Sequence, residues 1–173
     1  SDVQQTPTPD KLKDEHIYVL TPQGKVLDLI AGSTPIDFAY HLHTELGHRC
    51  RGAKVDGVMV PLNTKLQSGQ TVEIITVKVG APSRDWLNPE LGFVASPRSR
   101  TKVRQWFNAQ EMEQAITAGR EKIDKDLARL GKTAVKLEEL AKKLGFDSVD
   151  ELCLAAGKDE LGQKAIENIL ARR

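Results

Sequence analysis

The chain has little cysteine: Cys50 and Cys153 are the only two in 173 residues. They lie far apart without a neighbouring Cys at metal-ligand spacing, which argues against a disulfide framework and a zinc site, so both are expected as reduced thiols. Long apolar runs are missing too, and the N-terminus has neither an h-region nor a small-residue cleavage site; no signal or membrane span is expected, and a cytoplasmic location is the default. Charge of one sign is absent: 25 Lys+Arg against 24 Asp+Glu means that any nucleic-acid affinity has to come from local clusters. No GxxxxGKS/T phosphate loop, HExxH helix or GxSxG elbow occurs, so no catalytic residue, metal site or cofactor is assigned to this chain. What is present, 39% hydrophobic residues, suffices for a modest core in one medium or two small domains.

Residues 1–15 are polar, carry Pro7 and Pro9 and lack apolar periodicity, which reads as a linker. Ile17–Thr21 and Lys25–Leu29 are β-rich runs around Pro22-Gln-Gly24, the pattern of a hairpin. Thr34 is a candidate N-cap ahead of Pro35, and Phe38, Ala39, Leu42 and Leu46 share a helical face that ends at Gly47, a C-cap position. Three β-prone segments follow, Arg51–Val55, Val58–Val60 and Thr71–Val77, broken at Asp56-Gly57 and Gln67-Ser-Gly-Gln70. The order ββαβββ predicts an α+β fold, a ubiquitin-like β-grasp domain over residues 16–78. Pro82, Pro89, Gly92 and Pro97 mark residues 79–96 as a connector with Trp86 and Leu87 as docking residues. Residues 97–173 read as an all-α helical domain, with helices over Pro97–Phe107, Met112–Leu130, Ala134–Leu144, Val149–Ala156 and Leu161–Leu170 and C-cap candidates at Gly131, Gly145 and Gly157.

Three of the four histidines fall between Phe38 and His48. A helical zinc pair needs i, i+4 spacing and a third ligand. His41 and His43 are two apart and diverge by about 200° on a helix, so metal binding is not expected. His43 projects beside the Phe38/Leu42 stripe, where an imidazole stacks on a base or bonds a phosphate, or else covers the core edge with its ring. Arg49, Arg51 and Lys54 follow; a strand would put Arg49 and Arg51 on one face, an anion-binding surface with His43 or a solvated strand edge. Arg98, Arg100, Lys102 and Arg104 form the densest uncompensated charge, flanking the apolar stripe Val103, Trp106 and Phe107. They are candidates for gripping RNA phosphates, against the alternatives of a solvated face or a membrane-facing helix.

The segments Tyr18–Gly24, Ala31–Tyr40, His43–His48 and Val72–Thr76, in that order, resemble the TGS domain of RelA/SpoT homologues. The sequel Arg84–Pro89, Gly92–Val94 and Ser99–Phe107 resembles the continuation found in the RelA branch. The resemblance implies a middle section of a long stringent-response factor whose parent moves pyrophosphate from ATP to GTP or GDP, with Mg, in a catalytic half elsewhere. It further implies that this section senses the 3′ CCA end of deacylated tRNA on the ribosome, His43 matching the family's H-T/S-x-x-G-H histidine. Arg49 and Lys54 are then expected to hold phosphates near that end. The competing expectation is a protein-interaction or autoinhibitory module that docks on the catalytic half or on acyl carrier protein.

Overall fold

The computed structural model describes residues 15–172, so the N-terminal linker, residues 1–15, lies outside the description except for Glu15. Contacts divide the chain into two compact units, one ending at Trp106 and the other starting at Phe107.

In the first unit, strands β1 (His16–Leu20) and β2 (Val26–Ile30) form the expected hairpin, in register from His16 opposite Ile30 to Leu20 opposite Val26. Helix α1 (Pro35–Leu42) and a one-turn helix α2 (Thr44–His48) follow, then strands β3 (Cys50–Val55), β4 (Val58–Val60) and β5 (Val72–Thr76). Strands β4, β3 and β5 form an antiparallel sheet in that order, and a parallel bridge between Leu20 and Thr71 joins β1 to β5. The spatial order 2-1-5-3-4 is a β-grasp sheet. The β3–β4 turn is Asp56-Gly57 with φ of 50° and 83°, the two left-handed residues that a type I′ hairpin needs. Val19, Leu27, Leu29, Phe38, Val55, Leu66 and Val72 are packed between sheet and helix α1 with at most 6% of their surface exposed. At roughly 1.5–3 kcal/mol for each large apolar side chain buried, this cluster is the main stabilising contribution of the unit.

Two polar residues of α1 fasten the connector to this module. Thr34, the N-cap, accepts from the Asp37 N–H, and Asp37 Oδ2 accepts from the Thr34 N–H at 3.0 Å, closing a capping box. Asp37 is only 2% exposed. Its carboxylate also accepts from the Ala95 N–H at 2.9 Å and the Ser96 N–H at 3.1 Å, while the Thr34 hydroxyl donates to the Phe93 carbonyl at 2.5 Å. Connector residues 93–96 are thereby held against α1. Trp86 is buried, as its docking role predicts, in the 3₁₀ turn Arg84–Leu87.

The helix predicted through Leu46 is broken. Residue His43 is extended, with φ −165° and ψ 141°, and serves as C-cap of α1 and N-cap of α2. Gly47 is no left-handed cap either: a Cβ there would lie 2.2 Å from the Tyr40 ring, so the glycine is needed for close approach.

Helix α3 runs unbroken from Pro97 to Arg129, where the sequence reading had separate helices at Pro97–Phe107 and Met112–Leu130. Asn108-Ala-Gln-Glu111 between them contains no Gly or Pro, so nothing stops the hydrogen-bond ladder. Ser99 and Val103 of its first turns are buried, and the division between units falls inside α3, after Trp106.

The second unit packs the rest of α3 with α4 (Leu137–Lys143), α5 (Val149–Gly157) and α6 (Ala165–Ala171). Ile123, Leu127, Leu140, Ala141, Leu152, Cys153, Ala156 and Ile166 form its core. Gly131 (φ 69°) and Gly145 (φ 89°) are left-handed helix ends, as expected. Gly157 is not one: the left-handed residue after α5 is Asp159 (φ 58°), flanked by the Asp159 N–H to Ala156 and Glu160 N–H to Ala155 carbonyl bonds that close a Schellman motif. Gly157 and Gly119 instead allow two helix backbones to touch. A Cβ on Gly119 would stand 1.7 Å from the Cys153 carbonyl oxygen, and one on Gly157 would stand 1.9 Å from that of Ala115.

Two stability predictions follow from this packing. Asp37→Ala removes the acceptor of one buried and two part-buried backbone N–H groups and should lower stability by about 3 kcal/mol in urea denaturation. Gly119→Ala should cost about 3 kcal/mol through backbone overlap, against about 1 kcal/mol for Gly131→Ala, which meets only left-handed strain; equal losses would show that the helices yield freely.

Candidate nucleic-acid interface

The interruption between α1 and α2 sets the position of His43. Leaving the helix lets its Nδ1 accept from the Glu45 N–H at 3.1 Å, so a first-turn donor of α2 is satisfied by the imidazole itself. With Nδ1 accepting, the neutral ring carries its proton on Nε2, and the side chain is exposed. The periodicity places His43 beside the Phe38/Leu42 stripe of one continuous helix; its extended backbone takes it out of that helix. Leu42 and Leu46, which bracket it in sequence, line a groove of about 580 Å³ with Pro22, Phe38 and Ile74 at its apolar side and Lys25, Gln23 and Glu73 as its polar groups.

The cations that follow His43 are not one cluster. Arg49 is the C-cap of α2, half-buried, and its carbonyl accepts from the Val77 N–H at 3.0 Å. Arg51 lies beyond it in β3, where the ladder is irregular between Cys50 and Gly52, so the two do not share one regular strand face. Arg51 donates to the Cys50 carbonyl at 2.6 Å and to the Ala81 carbonyl, and so holds the connector. Lys54 sits four residues along β3 from Cys50, ~13 Å at ~3.3 Å per residue, with Glu73 as its cross-strand neighbour on β5.

Beside this surface lies a buried aromatic cluster. The Tyr40 hydroxyl is 2.9 Å from His48 Nδ1; the Tyr40 ring meets the His48 and Trp86 rings edge-on, at centroid distances of 5.3 and 6.4 Å, and Trp106 lies 6.4 Å from His48. Burial raises the Tyr40 pKa and keeps the phenol protonated. Burial also lowers the His48 pKa, opposed by Glu45 and reinforced by the Lys102 ammonium, which keeps the imidazole neutral. The phenol therefore donates to an accepting Nδ1. The two histidines of the His43–His48 motif thus divide the work: the first is presented to solvent, and the second ties α2 to Tyr40 of α1 and to Trp106 of α3. Sequence reasoning missed this role of Tyr40, Gly47 and His48, for which the Gly-His pair with its upstream tyrosine was the available signal.

Arg98, Arg100, Lys102 and Arg104 all lie on the first two turns of α3. Arg98 and Arg104 are exposed, Arg100 reaches the Val94 carbonyl at 3.5 Å, and Lys102 is half-buried near His48. Among the described residues none of the four has a carboxylate within ion-pair distance. Nor do any three His, Cys, Asp or Glu side chains group to hold a metal among the described residues, and none of the described helices is long and apolar enough to cross a membrane.

A β-grasp module with an exposed histidine at a helix break, followed by a helical unit, is the arrangement of a TGS-type protein segment. Comparison bears this out: the TGS domain matches residues 17–76, and the RelA/SpoT AH domain matches residues 106–171. The chain is 47% identical over 158 residues to the GTP pyrophosphokinase of Escherichia coli strain K12, covering 91% of this chain and 21% of that protein. It is 45% identical over 149 residues to the GTP pyrophosphokinase of Haemophilus influenzae, covering 86% and 20%. With the bifunctional (p)ppGpp synthase/hydrolase RelA of Mycobacterium tuberculosis it shares 40% identity over 166 residues, covering 91% and 22%. The chain carries the TGS and AH domains of the RelA/SpoT family, and it spans about a fifth of the length of these relatives.

The buried His48 makes the first unit acid-sensitive. Its folded pKa lies below the unfolded value of about 6.5, so its contribution to stability is fully present above that value and is lost as pH falls from there through the lower folded pKa. Lowering the pH from about 7 to about 5 should therefore reduce Tm, and His48→Gln should flatten that slope; an unchanged slope would assign the acid sensitivity to other groups.

Proposed function

We propose that this chain is the regulatory, RNA-reading segment of a (p)ppGpp synthetase, sensing the 3′ CCA end of deacylated tRNA in the ribosomal A site. In this reading it controls pyrophosphate transfer from ATP to GTP or GDP by a catalytic half outside this chain. The observation that carries it is the geometry of His43: an exposed imidazole on a fixed, extended backbone, its Nδ1 already bonded and its Nε2 left to a ligand. Such a ring can stack on a terminal base while donating one hydrogen bond to it or to its ribose. The groove lined by Leu42 and Leu46 offers apolar surface to the same nucleotide. An attached amino acid would be rejected by clash in a site fitted to a free 3′ hydroxyl.

Arg49, half-buried at the end of α2, is the phosphate partner nearest His43 in sequence; Lys54 is assigned the more distant contact along β3. The exposed cations of Arg98–Arg104 would hold RNA backbone, and each phosphate neutralised would add to the salt dependence. No bond-making step is assigned to any residue of this chain: its contribution is to bind, orient and discriminate.

The test is binding of deacylated and aminoacylated tRNA to the chain on stalled ribosomes. Loss of one base-stacking contact is worth ~1–3 kcal/mol, so His43→Ala should weaken deacylated tRNA by about 5- to 150-fold and erase the preference over aminoacylated tRNA. Equal binding of both tRNAs by both proteins would overturn the sensor reading and leave docking on the catalytic half or on acyl carrier protein as the better account.

A further inference from the structure

We propose that the first unit contains a second oxyanion site, separate from the groove lined by Leu42 and Leu46 and built to take a phosphate group in a cavity beside the first turn of α3. The cavity has a volume of about 110 Å³ and is lined by Ser33, His41 and Arg98 together with Asp28 and Asp37. That is room for three or four waters at ~30 Å³ each, or for one tetrahedral oxyanion.

The first observation is an orphan hydroxyl. Ser33 is 1% exposed, and its Oγ has no hydrogen-bond partner. Its backbone is fully used, the N–H donating to the Ile30 carbonyl at 3.1 Å and the carbonyl accepting from the Leu66 N–H at 2.8 Å. Only the side chain is unspent, and it lines the cavity. A buried hydroxyl left unpaired is unfavourable, so its persistence asks for a ligand.

The second observation is the start of a 33-residue helix at the same cavity. Pro97 has no N–H to give, and the Ser99 N–H is taken by Ser96 Oγ at 3.4 Å. Arg98, between them, brings a guanidinium to the lining without a carboxylate partner among the described residues. The partial positive charge of the helix end and the arginine fork both favour an oxyanion.

Both carboxylates in the lining keep their charge, which the Arg98 guanidinium has to offset; Asp37 is bonded through both oxygens and Asp28 through one. Asp28 Oδ1 is 2.5 Å from His16 Nδ1, and Asp37 takes the N–H groups of Thr34, Ala95 and Ser96. The Ser33 hydroxyl, the Arg98 guanidinium and the His41 ring are lining groups able to donate. An apolar group would leave Ser33 unpaired. Donors from three separate chain segments suit a tetrahedral phosphate with several oxygens. Its source is either the RNA backbone or a free phosphate such as that of a nucleotide. The site shares Arg98 with the proposed RNA-backbone contacts and nothing with the His43 groove, so the two readings can fail separately.

The experiment is thermal-shift and NMR titration of the 173-residue chain with inorganic phosphate, pyrophosphate and a single-stranded RNA decamer, each against a chloride solution of equal ionic strength. A saturable rise in Tm with at least one probe is expected. Because the Ser33 hydroxyl has no partner in the fold, Ser33→Ala should leave Tm without probe unchanged or higher, yet weaken the probe about tenfold. Arg98→Gln should weaken it by about tenfold or more, and His43→Ala should leave the binding of inorganic phosphate and pyrophosphate unchanged. A response to phosphate or pyrophosphate alone supports a free phosphate as ligand, and a response to RNA supports the backbone. No saturable response to any probe, or binding by Ser33→Ala and Arg98→Gln equal to wild type, overturns the proposal.

Discussion

The carboxylate of Asp37 is the constraint on which the first unit depends. One buried side chain completes the start of α1 and, through two further N–H groups, fixes the chain more than fifty residues later at Ala95 and Ser96. Buried carboxylates are tolerated when charge-assisted hydrogen bonds replace their lost hydration, and here backbone donors do so without a counter-ion. With Thr34 bonded to the Phe93 carbonyl, the connector has one defined path along α1, and that path places Trp86 and the start of α3 where they meet Tyr40 and His48. The basic residues of α3 therefore gain a fixed position from an interaction in which none of them takes part.

The same economy separates the two histidines at the ends of α2. His43 gives one nitrogen to the backbone and keeps the other exposed, whereas His48 is kept neutral by burial and serves as acceptor to a phenol. A solvent-facing imidazole and a structural one are thus set five residues apart by local backbone shape. Gly47 is what permits it, because any side chain at that position would overlap the Tyr40 ring. The second unit obeys a different constraint: Gly119 and Gly157 bring two helix backbones into contact, so its packing relies on small residues where the first relies on a buried polar latch.

Much of this architecture was readable beforehand. Alternation in the strands, the Asp56-Gly57 turn and the Thr34-Pro35 helix start are local signals, each rooted in the φ/ψ preferences or hydrogen-bonding reach of a few adjacent residues. His43 was legible only as a member of a motif. Its split from the helix face was not, because apolar periodicity continues through Leu46 while the backbone does not. Arg51 looked like an anion-binding residue until the fold brought the Ala81 carbonyl, thirty residues away, within reach of its guanidinium.

By itself the sequence determined the elements: an α+β chain with a β-grasp half and a helical half, and a family whose motifs occur in order. These follow from period, capping and turn chemistry, which act over a few residues. Tertiary structure alone decided which polar groups are spent and which remain. Asp37, Arg51 and His48 are consumed by distant partners, while His43, Ser33 and Arg98 keep capacity for something outside the chain. The physical reason is that the satisfaction of a buried donor or acceptor depends on groups remote in sequence, and no local pattern records it.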